Sequence, residues 1–462
     1  MNSSIRKFSA AVAIVLIALP GFLFTSNAQN IPPAKSKFRE WAQTPPMGWN
    51  SWDCYGPTVM EPEVKANADY MAEHLKKYGW QYIVVDIRWF VENDKAGGYN
   101  EKDPRYVIDE FGRYQPAVNR FPSAKDGKGF KALADYIHSK GLKFGIHIMR
   151  GIPKIAVDRK LPIKGAKGIT ADQIYTTELQ CTWLHDNYTV MADKPGAQEY
   201  YNSLFELYAS WGVDFVKVDD LSRPYHKGEV ELIRNAIDAC GRAIVLSTSP
   251  GETPIEAAEH VRTHANMWRM VDDVWDTWPH IAHLMEVSQK WYPYIAPGTW
   301  PDCDMIPLGR ISIRGERGND RMTRLTKDEQ YSLMTLFTIF RSPLFFGGDL
   351  PSNDAFTLSL LTNKDVLKMH HEGTEVRQLF QADGKVAITS KDAKTGDIYL
   401  ALFNMNNEGD AVEVNVTLQE LGIKGKCSVT DMWNHETVGT FTGIFGRKLL
   451  PHVSGLFRIK QL

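Results

Sequence analysis

From residue 46 onward the chain repeats one unit eight times, a short apolar run followed by an amphipathic helical stretch. The apolar runs at 47–52, 82–89, 143–148, 215–219, 243–248, 267–273, 304–306 and 344–347 are predicted strands. Helices are predicted at 61–78, 130–140, 197–211, 230–239, 254–264, 281–291, 328–340 and 358–370. A strand covered on both faces reads as a continuous apolar run, whereas the helix covering it shows apolar residues three and four apart. Strands joined through helices run parallel, because only a long crossover brings the chain back to its starting edge. Eight such units close on themselves, so the predicted fold class is α/β, a (β/α)₈ TIM barrel over residues 40–374. A doubly wound open sheet shares the alternation, but no glycine-rich phosphate turn follows the first strand.

Past residue 375 the texture changes to short, often β-branched segments at 385–390, 398–404, 411–418, 427–431 and 455–459, separated by Gly, Asn and Asp. That pattern predicts a C-terminal antiparallel β-sandwich over 375–462. It carries no group of catalytic side chains, so its expected role is to pack against the barrel. Two such parts suit 462 residues with 43% hydrophobic content. Lys plus Arg number 53 against 55 Asp plus Glu, a net charge of −2, which leaves no electrostatic footprint for nucleic acid.

At the N-terminus Arg6 and Lys7 precede an apolar run over 10–24, and Ser26-Asn27-Ala28 supplies small residues for cleavage. Residues 1–28 therefore read as a signal peptide, with export to the periplasm or beyond as the expectation. The run is shorter than the roughly 20 residues that span a bilayer, and no second one follows, so stable membrane insertion is not expected. Cys54, Cys181, Cys240, Cys303 and Cys427 stand singly, without the close spacing of a zinc site. The odd count leaves at least one thiol without a partner in the chain, and nothing in the spacing names a bridge or an oligomeric state.

Barrel active sites lie at the carboxyl ends of the strands, which makes the strands that end in ionisable groups the informative ones. The fourth ends Lys217-Val218-Asp219-Asp220, the sixth Arg269-Met270-Val271-Asp272-Asp273, and the second Asp86-Ile87-Arg88-Trp89. Side chains two apart share a face, so Val216 and Val218 facing the helices put Lys217 and Asp219 inward. The same parity groups Arg269 with Asp273 and sets Asp272 on the other face. Two carboxylates facing each other across a barrel mouth are what glycosidic cleavage requires, one attacking the anomeric carbon and one protonating the leaving oxygen. Lys217 is expected to hold Asp219 ionised.

Several strings in order, Pro45-Pro46-Met47-Gly48-Trp49-Asn50-Ser51-Trp52, Gly141-Leu142-Lys143-Phe144-Gly145-Ile146, Lys217-Val218-Asp219, Trp268-Arg269 with Asp273, Trp300-Pro301-Asp302-Cys303-Asp304-Met305, and Ser342-Pro343-Leu344 with Gly347 to Leu350, resemble the motifs of glycoside hydrolase family 27. That family comprises α-galactosidases and α-N-acetylgalactosaminidases. The resemblance implies a barrel followed by a β-sandwich, an exo-acting retaining α-glycosidase, Asp219 as nucleophile and Asp273 as acid/base. It further implies that Asp86, Lys217 and Arg269 contact sugar hydroxyls, that Trp52 walls the glycone pocket, and that Asp304 sits at its edge. No metal or organic cofactor is expected, and the partner is an oligosaccharide or glycoconjugate substrate.

The departures concern the sugar. Typical members end the second strand in Asp-Asp-Cys-Trp, both aspartates holding galactose hydroxyls, where this chain has Asp86-Ile87-Arg88-Trp89. His147, included among the substrate-binding candidates, stands where Tyr is usual, and Ser247-Thr248-Ser249-Pro250-Gly251-Glu252 lacks the Cys-Glu-Trp type of motif that reads the carbon-2 substituent. Arg88, on the same face as Asp86 by parity, and Arg150 either receive an anionic substituent or neutralise the site's own aspartates, the second being favoured. An α-galactosidase is the leading expectation. The alternatives are a β-L-arabinopyranosidase, or a glycosidase for a substituted galactose-like sugar, and, in another class, a non-catalytic carbohydrate-binding protein.

Overall fold

A computed structural model describes residues 37–462. The expected signal peptide lies outside the described residues. The strands Met47–Asn50, Tyr82–Val85, Lys143–Met149, Phe215–Asp219, Val245–Thr248, Met267–Arg269, Trp300–Asp302 and Leu344–Phe346 form one parallel sheet in chain order, and Leu344–Phe346 pairs back with Met47–Asn50. Closure comes from the seventh strand, which is split in two. Trp300–Asp302 pairs with the sixth strand, and after a turn at Asp304 (φ 85°) Met305–Ile306 pairs with the eighth. The expected seventh strand, at 304–306, is thus only the second half of the real one.

Burial follows the pleat. Tyr82, Val84, Phe215, Val245, Met267, Met305 and Phe345 fill the barrel interior, while Ile83, Val85, Phe144, Ile146, Val216, Val218 and Leu246 pack outward against the helices. Each large side chain so buried contributes about 1.5–3 kcal/mol. The covering helices include Lys131–Ser139, Ala197–Trp211, Lys227–Ala239, Trp278–Ser288 and Lys327–Phe340. The first predicted helix widens after Glu61–Tyr70 into a π turn and then tightens into a 3₁₀ turn that ends at Gly79, whose φ of 101° favours glycine.

Three predicted strands are too long at their carboxyl ends, where the site is built. The first stops at Asn50, and Trp52 opens a short helix. The second stops at Val85, and the Asp86 carboxylate turns the chain by accepting from the Ile87 N–H at 2.9 Å. The sixth stops at Arg269 because Thr253, in the loop after the fifth strand, takes the Arg269 carbonyl through its N–H at 3.2 Å and its hydroxyl at 2.7 Å. The same loop lies so close to the Val271 backbone that a Cβ on Gly251 would stand 1.9 Å from the Val271 carbonyl oxygen.

The C-terminal part is a β-sandwich. A six-stranded antiparallel sheet, ordered Gly373–Ala382, Lys385–Asp392, Ile398–Asn404, Ser454–Gln461, Lys426–Asp431 and Thr437–Thr442, faces the pair Val412–Thr417 and Ile444–Leu449. Leu400, Leu402, Val414, Val416, Phe445 and Phe457 fill the space between them. The opposite face of the large sheet, including Val386, Ile388, Ala401 and Phe403, joins the barrel's own core. The Trp433 indole donates to the Thr335 hydroxyl at 2.9 Å and the Ser332 hydroxyl to the His452 carbonyl at 2.6 Å, both onto the helix Lys327–Phe340. Three strands escaped the sequence reading. Gly373–Ala382 is broken by bulges, and Gly439 and Gly446 interrupt the alternation of the other two, Thr437–Thr442 and Ile444–Leu449.

Candidate active site

At the carboxyl ends of the strands lies a cavity of about 520 Å³, lined among others by Trp52, Asp86, Ile87, Tyr99, His147, Trp183, Lys217, Asp219 and Asp273. The inward residues of three neighbouring strands build its floor. Asp86 follows the second strand, His147 lies near the end of the third, and Lys217 and Asp219 end the fourth. His147 stands between the two carboxylates, its Nδ1 2.5 Å from Asp86 Oδ1 and its Nε2 3.2 Å from Asp219 Oδ2. The second is a close charge contact rather than an aligned hydrogen bond. Asp86 Oδ2 also accepts from Asn50 Nδ2 at 2.8 Å and lies 3.4 Å from Lys217 Nζ. Asp219 Oδ1 accepts from the Ser249 hydroxyl at 2.9 Å and the Asp220 N–H at 3.2 Å. Lys217, expected to hold Asp219 ionised, makes its close contact with Asp86 and acts on Asp219 through its charge.

These contacts set the ionisation. Burial opposes charge on Asp219, but the His147 contact, the charges of His147 and Lys217 and the Ser249 hydroxyl outweigh it and hold its pKa below the ordinary carboxylate value. Asp86 is likewise lowered, burial being overcome by His147, Lys217 and Asn50. For His147 burial works against the proton, and the two aspartates reverse it, so its pKa is raised above 6.5. A raised imidazole value adds stability that is complete below the unfolded pKa and is lost as pH rises through the folded one. The lowered aspartates add stability present above their unfolded value near 3.8 and lost only as pH falls further. The part of the stability that these three groups supply should therefore be greatest from about pH 4 to 6.5 and shrink as pH climbs through the His147 value, about 1.4 kcal/mol being at stake for each tenfold gain in its proton affinity. His147→Gln should flatten the alkaline side of that profile. Equal slopes in the two proteins would mean that His147 carries no proton.

Asp273 reaches the cavity from a loop, not from a strand, so the parity argument that selected it does not apply. Arg269 places it, with Nη2 3.1 Å from Asp273 Oδ1 and Nη1 2.5 Å from Asp304 Oδ1. Asp304 Oδ2 in turn accepts from the Val274 N–H at 2.7 Å, pinning the loop one residue beyond Asp273. Arg269 and Asp304 are 1% and 2% exposed and do not line the cavity; they form its buried support, and Asp304 is not at the pocket edge. Asp272 lies at the mouth and pairs with Arg223 at 2.6 Å.

Arg88 and Arg150 are not free for an anionic ligand. Parity fails for Arg88 because the strand has ended; its side chain is buried, bidentate to Asp186 at 2.8 Å and bound to Asp94 at 3.1 Å. Arg150 is committed to Asp220 at 2.8 Å and Glu229 at 2.9 Å. Sequence reasoning missed Ser249, Tyr99, Trp183 and Asp53. Asp53 is a buried carboxyl whose pKa is pushed well up by burial and the neighbouring aspartates. Tyr99 and Trp183 sit on irregular loops, where no periodicity marks them. All five cysteines are unpaired. Glu231, His260 and His264 form a group able to hold a metal ion, but none of them lines the cavity.

A family model described as alpha galactosidase A matches residues 44–157 and 159–372, and one described as the alpha galactosidase C-terminal beta sandwich domain matches 383–459. The solved structure of a family 27 β-L-arabinopyranosidase from Geobacillus stearothermophilus is 50% identical, superposes with a TM-score of 0.90, and covers 92% of this chain and 98% of its own. Alpha-galactosidase A of Cellvibrio japonicus is 28% identical over 403 residues, 83% of this chain and 81% of that protein. The alpha-N-acetylgalactosaminidase of Gallus gallus is 24% identical over 79% of this chain and 80% of its own. With the barrel, the sandwich and the ordered motifs matched along most of its length, this chain belongs to glycoside hydrolase family 27.

Proposed function

We propose that the protein is an exo-acting retaining glycosidase whose preferred glycone is β-L-arabinopyranose. In the first step a carboxylate oxygen of Asp219 bonds to the anomeric carbon as the glycosidic C–O bond breaks, and Asp273 gives its proton to the departing oxygen. In the second, Asp273 takes a proton from water, whose oxygen displaces Asp219 and restores the starting configuration. Support for these roles comes from the cations that keep Asp219 ionised and from the separate anchoring of Asp273 on Arg269.

The observation that carries the sugar assignment is Ile87, 1% exposed and lining the cavity directly after Asp86. β-L-Arabinopyranose has the ring hydroxyl configuration of galactose and lacks the hydroxymethyl group. A carboxylate lost from the wall thus matches a hydroxyl lost from the ligand. A galactoside would set a hydroxyl against methyl groups and forgo a charged hydrogen bond of about 1.5–3 kcal/mol, roughly ten- to hundredfold. The similarity to the Geobacillus enzyme supports the same reading, while the family model and the curated relatives favour an α-galactosidase as the second reading.

Comparison of kcat/KM on 4-nitrophenyl β-L-arabinopyranoside and α-D-galactopyranoside decides between them. The arabinoside should lead by about tenfold or more, and Ile87→Asp should move the ratio about tenfold toward the galactoside. A parent enzyme that prefers the galactoside, with no gain from Ile87→Asp, would establish the second reading. Turnover of neither would leave a carbohydrate-binding protein. The first product, followed by NMR, should keep its anomeric configuration, and an inverted one would exclude double displacement.

A further inference from the structure

Away from the cavity, the half-buried side chains of Glu231, His260 and His264 carry metal-ligand chemistry. Glu231 lies on the helix Lys227–Ala239, which follows the fourth barrel strand, and the two histidines lie on the helix Ala258–His264, which follows the fifth. Histidines four apart share one face of a helix, the spacing by which a single turn presents two imidazoles to one ion. The two rings stack with centroids 4.0 Å apart and planes inclined by 20°, and one ligand atom from each of the three residues falls within 4.8 Å of the others. His260 Nε2 stands 3.1 Å from Glu231 Oε1. Two tetrahedral ligands, each about 2.0–2.1 Å from zinc, stand roughly 3.3–3.4 Å apart. Both rings are also held from behind. His264 Nδ1 lies 2.8 Å from the His260 carbonyl oxygen, which can only accept, so Nδ1 carries the proton and Nε2 keeps its lone pair. His260 Nδ1 lies 2.7 Å from the Tyr225 hydroxyl, which can accept its proton when Nε2 binds a cation. Metal-bound histidines are oriented in this way, by an acceptor on the nitrogen that does not bind. Lys227 Nζ is 3.9 Å from the same Glu231 oxygen, too far for a hydrogen bond, so no lysine or arginine among the described residues pairs closely with that carboxylate.

We propose that Glu231, His260 and His264 bind one zinc ion, with water completing its shell, as a clamp between two neighbouring helices of the barrel's outer ring. Two imidazoles and a carboxylate suit a borderline cation such as zinc, whereas calcium and magnesium take oxygen ligands. The clamp takes no part in the hydrolytic steps, since none of its ligands lines the cavity. Through Tyr225 it braces the turn closed by the Ser222–Tyr225 pairing, whose Arg223 stands at the cavity mouth. Calorimetric titration of the tag-free, chelator-stripped chain with zinc chloride tests the site. One equivalent should bind with a Kd on the order of 1 µM or tighter. Zinc at about a hundred times Kd should raise the unfolding temperature by about 3 °C in a chain of this size. His264→Ala and Glu231→Gln should each remove both the tight equivalent and the temperature rise. Both positions are half-buried on the outer ring, so the zinc-free variants should unfold near the parent temperature. Tyr225→Phe, which deletes only the acceptor behind His260, should weaken zinc binding about tenfold. His147→Gln should bind zinc as the parent does, and loss of the tight equivalent in that variant would move the ion to the active site and overturn the clamp. Binding that is unchanged in both His264→Ala and Glu231→Gln, a Kd in the millimolar range, or equal competition by calcium would overturn it as well.

Discussion

Asp219→Ala should lower turnover by roughly 10⁴-fold or more, about 5 kcal/mol of transition-state stabilisation, because it removes the group proposed to attack the anomeric carbon. The loss should fall on kcat with the protein still folded. Asp219 is only 7% exposed, yet its removal orphans no cation, since His147 keeps Asp86 at 2.5 Å and Lys217 keeps it at 3.4 Å. The space left by the carboxylate admits a small anion, and azide entering there attacks from the face that Asp219 used. The glycosyl azide should then have the configuration opposite to the substrate, released in one step with no covalent intermediate. Glycosidic activity like that of the parent in Asp219→Ala, with circular dichroism unchanged, would remove Asp219 from the mechanism. Near-total loss with unfolding is distinguished by Asp219→Asn, which keeps the volume and the Ser249 contact.

What the sequence made legible follows how far regular structure extends into the site. The strand Phe215–Asp219 keeps its pleat to the last residue, so Phe215 fills the interior, Val216 and Val218 meet the helices, and Lys217 and Asp219 point into the cavity as parity requires. The same rule applied to the sixth strand reached Asp273 by a route the molecule does not take, because Thr253 ends the pleat at Arg269. It misplaced Arg88 for the same reason, the chain having turned at Asp86. Tertiary contacts between loops decided both positions, and such contacts leave no periodic trace in sequence. Tyr99 and Trp183 are the extreme case. Their ring centroids lie 6.3 Å apart where Arg88 bonds both the Asn100 carbonyl and Asp186, and nothing in the spacing of the two aromatics announces it. The sandwich was visible as a texture before its strands were countable, since glycines and bulges break the alternation at Gly373–Ala382 and Thr437–Thr442.

Asp273→Ala should show a different pattern from Asp219→Ala, and the contrast tests the division of labour between them. A general acid matters in proportion to the basicity of the oxygen it protonates. Natural disaccharides and methyl glycosides should therefore slow by about 10²–10⁴-fold, the range typical of acid/base groups. A 2,4-dinitrophenyl glycoside, whose leaving group departs without a proton, should keep a rapid first step. Its second step should then limit the rate, because water has lost its base, and the intermediate on Asp219 should accumulate as a burst and a low KM. Azide needs no base, and it attacks that intermediate from the side Asp273 vacated, so the rescued product should have the substrate's own configuration. The fold should tolerate the change, since the Asp273 side chain is 35% exposed and Arg269 keeps Asp304 at 2.5 Å. Equal slowing of dinitrophenyl and methyl glycosides, or an azide product of inverted configuration, would take the acid/base role from Asp273. Glu316, which lines the same mouth and whose pKa is raised by burial and by the charge of Asp273, would then be the carboxyl group to replace next.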